Sequence, residues 1–303
     1  MPLSTHPFRF GTSSWAYEGW QGLVYHRTYP KSRFSRDTLA EYAAYSRHGT
    51  PLFTTVGVDH SFYRPASAEQ LAHYAAQVPD DFHFCQKVWE DITIPAYARL
   101  PRYGANAGKP NPRFLDADLF RDLVLQPARE GLGAKLGPFI FEFQRSGLDP
   151  ESFLARLDKF LAALPLGPAY AIEVRNPAIL SPRYRDILQA HGAAHVYNHW
   201  TAMPHLSEQH QRLGETFTAP FTVLRLLTPL GLAYEQAVER YAPYDRIVQP
   251  QPRMRQDTTS LVKQAAAEGT SAYVLVNNRS EGCSPLTVQA LLDSLTTPTT
   301  PPL

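Results

Sequence analysis

Ionisable side chains close a series of short apolar runs in this sequence. Asp59 follows Val56-Gly57-Val58, Lys87 follows His83 and Cys85 at alternate positions, and Glu142 stands between Phe141 and Phe143. Glu173 and Arg175 alternate with Ile172 and Val174, and Arg225 lies between Val223 and Leu227. His199 or Asn198 ends the run at 195–200, and Asn277 ends the last one. Three acids and three bases suffice for acid–base chemistry on an anionic substrate. Glu173 is the leading general acid or base, because neighbouring Arg175 or Lys87 would hold it ionised and oriented; Asp59 is a second catalytic candidate. Lys87 suits a nucleophile or base of lowered pKa, or a plain ion pair. Arg175 and Arg225 suit bidentate binding of phosphate or carboxylate, or orientation of Glu173. Asn277 suits an orienting hydrogen bond, and His199 reads either as a ligand contact or as a satisfied core histidine. His60, Glu142 and His199 offer metal donors, yet no H-E-x-x-H or similar spacing joins them, so no metal is expected.

These groups act together only if the runs carrying them end at one place. Side chains alternate faces along a strand, so Ala171, Glu173 and Arg175 point one way and Ile172 and Val174 the other. A strand with helices outside and a polar centre inside has this pattern. Strand-like runs at 8–14, 52–62, 82–89, 136–144, 169–177, 195–200, 221–227 and 271–277 alternate with helix-like stretches. The latter fall at 34–47, 67–77, 115–130, 151–164, 182–191, 207–212, 258–268 and 286–295. Eight such units predict one α/β domain, a single (β/α)8 TIM barrel over residues 1–295, with its site at the C-terminal ends of the strands. A doubly wound open sheet would need a phosphate-cradling turn, and no G-x-G-x-x-G or Walker-type run occurs; no cofactor is expected either. The plainer alternative is that the six charges only neutralise one another at the barrel mouth, since a buried charge needs a partner.

The connections add a second signal. Residues 94–113 carry Arg99, Arg102, Lys109 and Arg113 and no acid. The first loop and its helix start bring Arg27, Lys31, Arg33 and Arg36, mixed with Trp15, Tyr17, Trp20, Tyr25 and Tyr29, and Arg246, Arg253 and Arg255 follow the seventh strand. With a formal net charge of +1, this predicts a basic rim that attracts anions. Trp15 and Tyr17 suit stacking on a ligand, or pinning of the loop.

Composition bounds the rest. A chain of 303 residues, 44% apolar and 19% charged, buries a large core and is not disordered. Its charge gives no global attraction to nucleic acid or membrane. No apolar run approaches the roughly 20 residues of a membrane span, and residues 1–10 lack the pattern of a signal peptide. Cys85 and Cys283 form neither a metal spacing nor a disulfide framework, which fits reduced thiols in a cytoplasm. The Thr/Pro-rich stretch 296–303 is expected to be a flexible tail. No motif specifies an oligomeric state.

Several of these runs form a familiar combination. They are Gly11-Thr12-Ser13-Ser14-Trp15-Ala16-Tyr17 with Trp20, Ser61-Phe62-Tyr63-Arg64-Pro65, Lys87 with Ile92-Thr93, and Gly137-Pro138-Phe139-Ile140-Phe141-Glu142-Phe143. Tyr170-Ala171-Ile172-Glu173-Val174-Arg175-Asn176-Pro177, Arg225-Leu226 and Val276-Asn277-Asn278-Arg279 complete the set. Together they resemble the YecE-like family, the domain of unknown function numbered seventy-two. The resemblance spans the first strand to the eighth and implies a TIM barrel; Tyr63, inside a matching run, is a further ligand-binding candidate. Members often read V-E-x-N-x-T-F-Y where this chain has Val56-Gly57-Val58-Asp59-His60-Ser61-Phe62-Tyr63, so a family glutamate is Gly57 and an asparagine is Asp59. Many have R-L-H-G where this chain has Arg225-Leu226-Leu227-Thr228. These departures imply a variant substrate or a weaker activity, with Lys87, Glu173, Arg175, Arg225 and Asn277 retained.

The expectation is an enzyme of hydrolase or lyase type acting on a phosphate- or carboxylate-bearing small molecule at the barrel mouth. The alternative is nucleic-acid binding or processing on the basic loop face, with a non-catalytic scaffold as a third reading.

Overall fold

The eight apolar runs form one ring. A computed structural model, describing residues 7–145 and 147–296, closes eight parallel strands into a barrel. They are β1 (Phe8–Thr12), β2 (Thr55–Val58), β3 (His83–Lys87), β4 (Leu136–Phe143), β5 (Tyr170–Val174), β6 (Ala194–His199), β7 (Phe221–Leu226) and β8 (Ser271–Val276). Closure is made by β1, which pairs Thr12 with Val276 of β8 on one side and with Val56 of β2 on the other. Helices fill the connections and surround the ring, so the chain is a (β/α)8 TIM barrel.

Period-two alternation divides the apolar residues into two cores. Cys85, Ile140, Ala171, Ala194, Val196, Val223 and Leu275 pack against one another inside the ring. Phe139, Phe141, Ile172 and Val174 face outward and pack under helical Phe120, Phe153, Leu157 and Phe160. Burying each such side chain contributes about 1.5–3 kcal/mol. β1 and β2 lie too close for side chains between them. A Cβ on Gly11 would overlap the Thr55 carbonyl oxygen, and one on Gly57 would stand 2.8 Å from the Ser13 carbonyl oxygen. Gly57 is therefore fixed by the path of the neighbouring backbone.

Helix boundaries follow local turn chemistry. Asp149 and Ser181 cap Pro150–Ala163 and Pro182–Ala190 by accepting from the Ser152 and Tyr184 N–H groups. The stretch expected as one helix at 34–47 divides into Phe34–Asp37 and Leu39–Ala44. It ends in an antiparallel ribbon, Ser46–Arg47 against Thr50–Pro51, turned by His48 and Gly49 at positive φ. The helix expected at 115–130 passes through a π-turn, Arg121–Leu125, just before Pro127, whose ring and missing N–H disrupt an α-helical interior. Tyr234–Tyr241 is a helix that the sequence reading omits. Thr296 ends the last helix, Ser284–Thr296, and the remainder of the expected tail, 297–303, lies outside the described residues. Among those residues no helix is long and apolar enough to cross a membrane.

Candidate functional site

A charged layer sits directly on the inner apolar layer, at the C-terminal end of the ring. Ile140, Ala171 and Val223 belong to the inner core, and two residues further along the same inward faces stand Glu142, Glu173 and Arg225. Glu142 and Glu173 are direct neighbours across the β4–β5 ladder. Two adjacent carboxylates with 1% and 0% exposure need cations. Arg225 Nη1 donates to Glu142 Oε2 at 3.1 Å and closely to Glu173 Oε2, while its Nη2 bridges both Asp59 oxygens at 3.2 and 3.1 Å. Arg175 donates from Nη2 to Glu142 at 2.7 Å and from Nε to Glu173 at 3.1 Å. Lys87 Nζ reaches the same Glu142 oxygen at 2.8 Å. Gln144 Nε2 donates to the other Glu142 oxygen at 2.6 Å.

Three acids and three bases thus form one neutral network, as their count suggested. Burial by itself would raise the Glu142 pKa, but Arg175, Lys87 and Arg225 overcome it and hold the carboxyl well below the usual range. Glu142 therefore stays ionised at neutral pH. Burial likewise opposes the charge of Arg225, and Glu173, Asp59 and Glu142 more than restore it. Aromatic rings cover the two outer cations, Phe62 under Lys87 at 3.8 Å and Trp200 under Arg175 at 4.8 Å. The strand expected to run to residue 62 stops at Val58, and a 3₁₀ turn, Asp59–Phe62, turns Asp59 toward Arg225. Ser61 fixes that turn by hydrogen-bonding the Val58 carbonyl at 2.6 Å and the Lys87 carbonyl at 2.5 Å.

Not every expected residue joins this group. His199 lies on the helix-facing side of β6, next to outward Tyr197, and its nearest ring is His205 at 6.4 Å. Burial and then His205 lower its pKa to about 4, and both ring nitrogens are buried without a partner, so it packs as a neutral side chain outside the network. Asn198 takes the inward position, opposite Arg225. Trp15 is 2% exposed, donates its N–H to the Ser35 carbonyl at 2.7 Å and packs on Tyr74, so it pins the first loop. Asn277 accepts from the Arg279 N–H at 3.0 Å and so caps the turn after β8. Tyr63 is 62% exposed, with the Arg102 guanidinium 5.2 Å from its ring. Tyr17 is half-buried; burial raises its phenol to about 12, with Arg279 lowering it and Asp59 raising it. Among the described residues no three His, Cys, Asp or Glu side chains are grouped to hold a metal.

The basic rim is largely neutralised by acids that lie elsewhere in sequence. Arg102 pairs with Glu90 at 2.9 Å, Arg113 with Asp91 at 2.9 Å, Arg253 with Glu208 at 2.7 Å and Arg255 with Glu281 at 2.7 Å. The loop 94–113 contains no acid, but the helix Glu90–Thr93 just before it supplies two. One depression of about 470 Å³ lies within this loop, and another of about 440 Å³ lies outside the barrel by Phe114 and Arg156. Neither contains a network residue. Buried charge is instead concentrated in the network.

The model of a family described as a protein of unknown function, DUF72, matches residues 9–302. The chain belongs to the DUF72 family. Solved DUF72 structures share the barrel. One from Enterococcus faecalis has a TM-score of 0.66 at 16% identity, covering 97% of each chain. One from Thermotoga maritima has a TM-score of 0.65 at 18% identity, covering 95% of this chain and 100% of its own. No curated protein matches. The sequence reading passed over one residue of this DUF72 barrel mouth: Arg279, which follows β8 and stacks 4.5 Å from the Tyr234 ring. Its signal was the Asn277-Asn278-Arg279 run at a strand end.

Proposed function

We propose that this DUF72 barrel is an enzyme of hydrolase or lyase type that takes an anionic small molecule at its C-terminal mouth. One observation carries the reading: the network has a sealed half and an open half. The side chains of Glu142, Glu173 and Arg225 are at most 2% exposed, whereas those of Asp59, Arg175 and Lys87 are 29%, 14% and 12% exposed. The sealed three hold the open three in position, and the open three meet the substrate.

Burial reassigns the proton-transfer role. Glu173, the leading candidate from sequence, has no exposed surface and both of its oxygens are bonded by arginine. Asp59 has the accessible carboxylate, oriented by the two Arg225 contacts, and acts as general base. Lys87 and Arg175 stabilise negative charge that develops on the substrate, in a site already lined with charge. The test is turnover across a panel of phosphate and carboxylate esters. Asp59→Asn should lower kcat by about 10²–10⁴, the usual contribution of a general base, with the melting temperature retained. Undiminished turnover in that variant would remove Asp59 from the role.

A further inference from the structure

The charge balance at the mouth leaves one cation over. Lys87, Arg175 and Arg225 are matched by Asp59, Glu142 and Glu173. Arg279 is a fourth cation, and among the described residues no carboxylate lies within ion-pair distance of it. Its Nε is buried without a hydrogen-bond partner. Asn278 Nδ2 and Ser280 Oγ, on the same turn, are also buried without partners. Among the described residues no protein acceptor meets the Arg279 guanidinium, so its donors are left for another partner.

The turn is built to hold Arg279 still. Asn277 Oδ1 accepts from the Arg279 N–H at 3.0 Å, and Asn278 Oδ1 accepts from Trp20 Nε1 at 3.2 Å and from Ser284 N and Oγ, each at 2.8 Å. The guanidinium stacks on Tyr234 at 4.5 Å, which covers one face and leaves the outer Nη groups for a planar partner. Tyr17 is within electrostatic reach of both Arg279 and Asp59, and its ring lies 5.0 Å from Trp20 and 5.8 Å from Tyr244. One surplus positive charge is balanced by one negative charge, and nearby Asp59 disfavours a second.

We propose that the β8 corner of the mouth is a carboxylate subsite, in which Arg279 pairs with the carboxylate of the substrate and the rings of Tyr17 and Tyr234 flank its body. The inference rests on the mouth being a substrate site and narrows the anion from phosphate or carboxylate to carboxylate. The test reads binding alone. Benzoate, acetate and inorganic phosphate are titrated at low salt into the full chain, with affinity followed by calorimetry. Benzoate should bind more tightly than phosphate, and Arg279→Gln should raise its Kd roughly 10- to 100-fold, the loss expected for a charge-assisted bidentate pair. Arg279→Lys should recover part of the affinity, which separates lost charge from a disturbed turn. Undetectable benzoate binding to the wild type, tighter binding of phosphate, or an unchanged Kd in Arg279→Gln would each overturn the proposal. Arg279-dependent benzoate binding combined with full turnover in Asp59→Asn would keep the subsite and defeat the catalytic assignment.

Discussion

Replacing Glu142 by Gln keeps the shape of the side chain and removes the charge that three cations share. Removing one partner of a buried ion pair costs about 3–5 kcal/mol, because the remaining charge stays desolvated. Here the low end applies. Arg175 keeps Glu173, and Arg225 keeps Glu173 and Asp59, so only Lys87 loses its one carboxylate. The expected loss is about 3 kcal/mol, which for 303 residues corresponds to a fall of roughly 5 °C in melting temperature. Acid should then narrow the difference. The Glu142 pKa is depressed in the fold, so its stabilisation is complete above the ordinary value of 4.5 and fades as pH falls toward the folded value. The gap between wild type and Glu142→Gln should therefore be constant from pH 7 to about pH 5 and shrink below 4.5. Urea unfolding of both proteins at pH 7 and pH 3.5 measures it. A gap under about 1 kcal/mol at pH 7, or one that does not narrow at pH 3.5, would refute the claim that Glu142 anchors the network.

Other consequences are as direct. Gly57→Glu should destabilise the fold by at least the roughly 1–3 kcal/mol of an overpacked core, because the new Cβ meets the Ser13 backbone; denaturation midpoints decide, and a neutral result would mean that β1 and β2 separate easily. Burial lowers the His195 pKa to about 3, so the stabilisation tied to its neutral form is complete above about 6.5 and is lost as pH falls below that value. His195→Gln should flatten the acid limb of the stability profile between pH 6.5 and 4, and an unchanged slope would contradict this. Burial raises the Cys85 thiol to about 12 and the Cys283 thiol to about 11. Neither should react with a thiol reagent at pH 8 until the protein is unfolded, and rapid labelling of the native form would count against their burial.

Spacing along the chain sets the number of strands, the inward faces of β3, β4, β5 and β7, and the end of the barrel at which charge collects. Alternation along a strand is a property of the local backbone, so Glu173 above Ala171 and Glu142 above Ile140 follow from spacing alone. The family runs were legible for the same reason, since each lies within one element. Which charges meet depends on closure of the ring. Asp59 and Arg225 are 166 residues apart in the chain and Arg225 and Glu142 are 83 apart, and no local pattern measures the distance between them. Burial, too, is a property of the assembled ring, which seals Glu173 and leaves Asp59 partly open. His199 and Asn198 stayed alternatives because a strand end offers two neighbouring side chains, and only the closed ring turns Asn198 inward. The basic rim was overestimated because its neutralising acids, Glu90, Asp91, Glu208 and Glu281, come from elements outside the loops that were counted. Local geometry can be read one residue at a time; solvent exclusion and ion pairing depend on the packing of the whole chain.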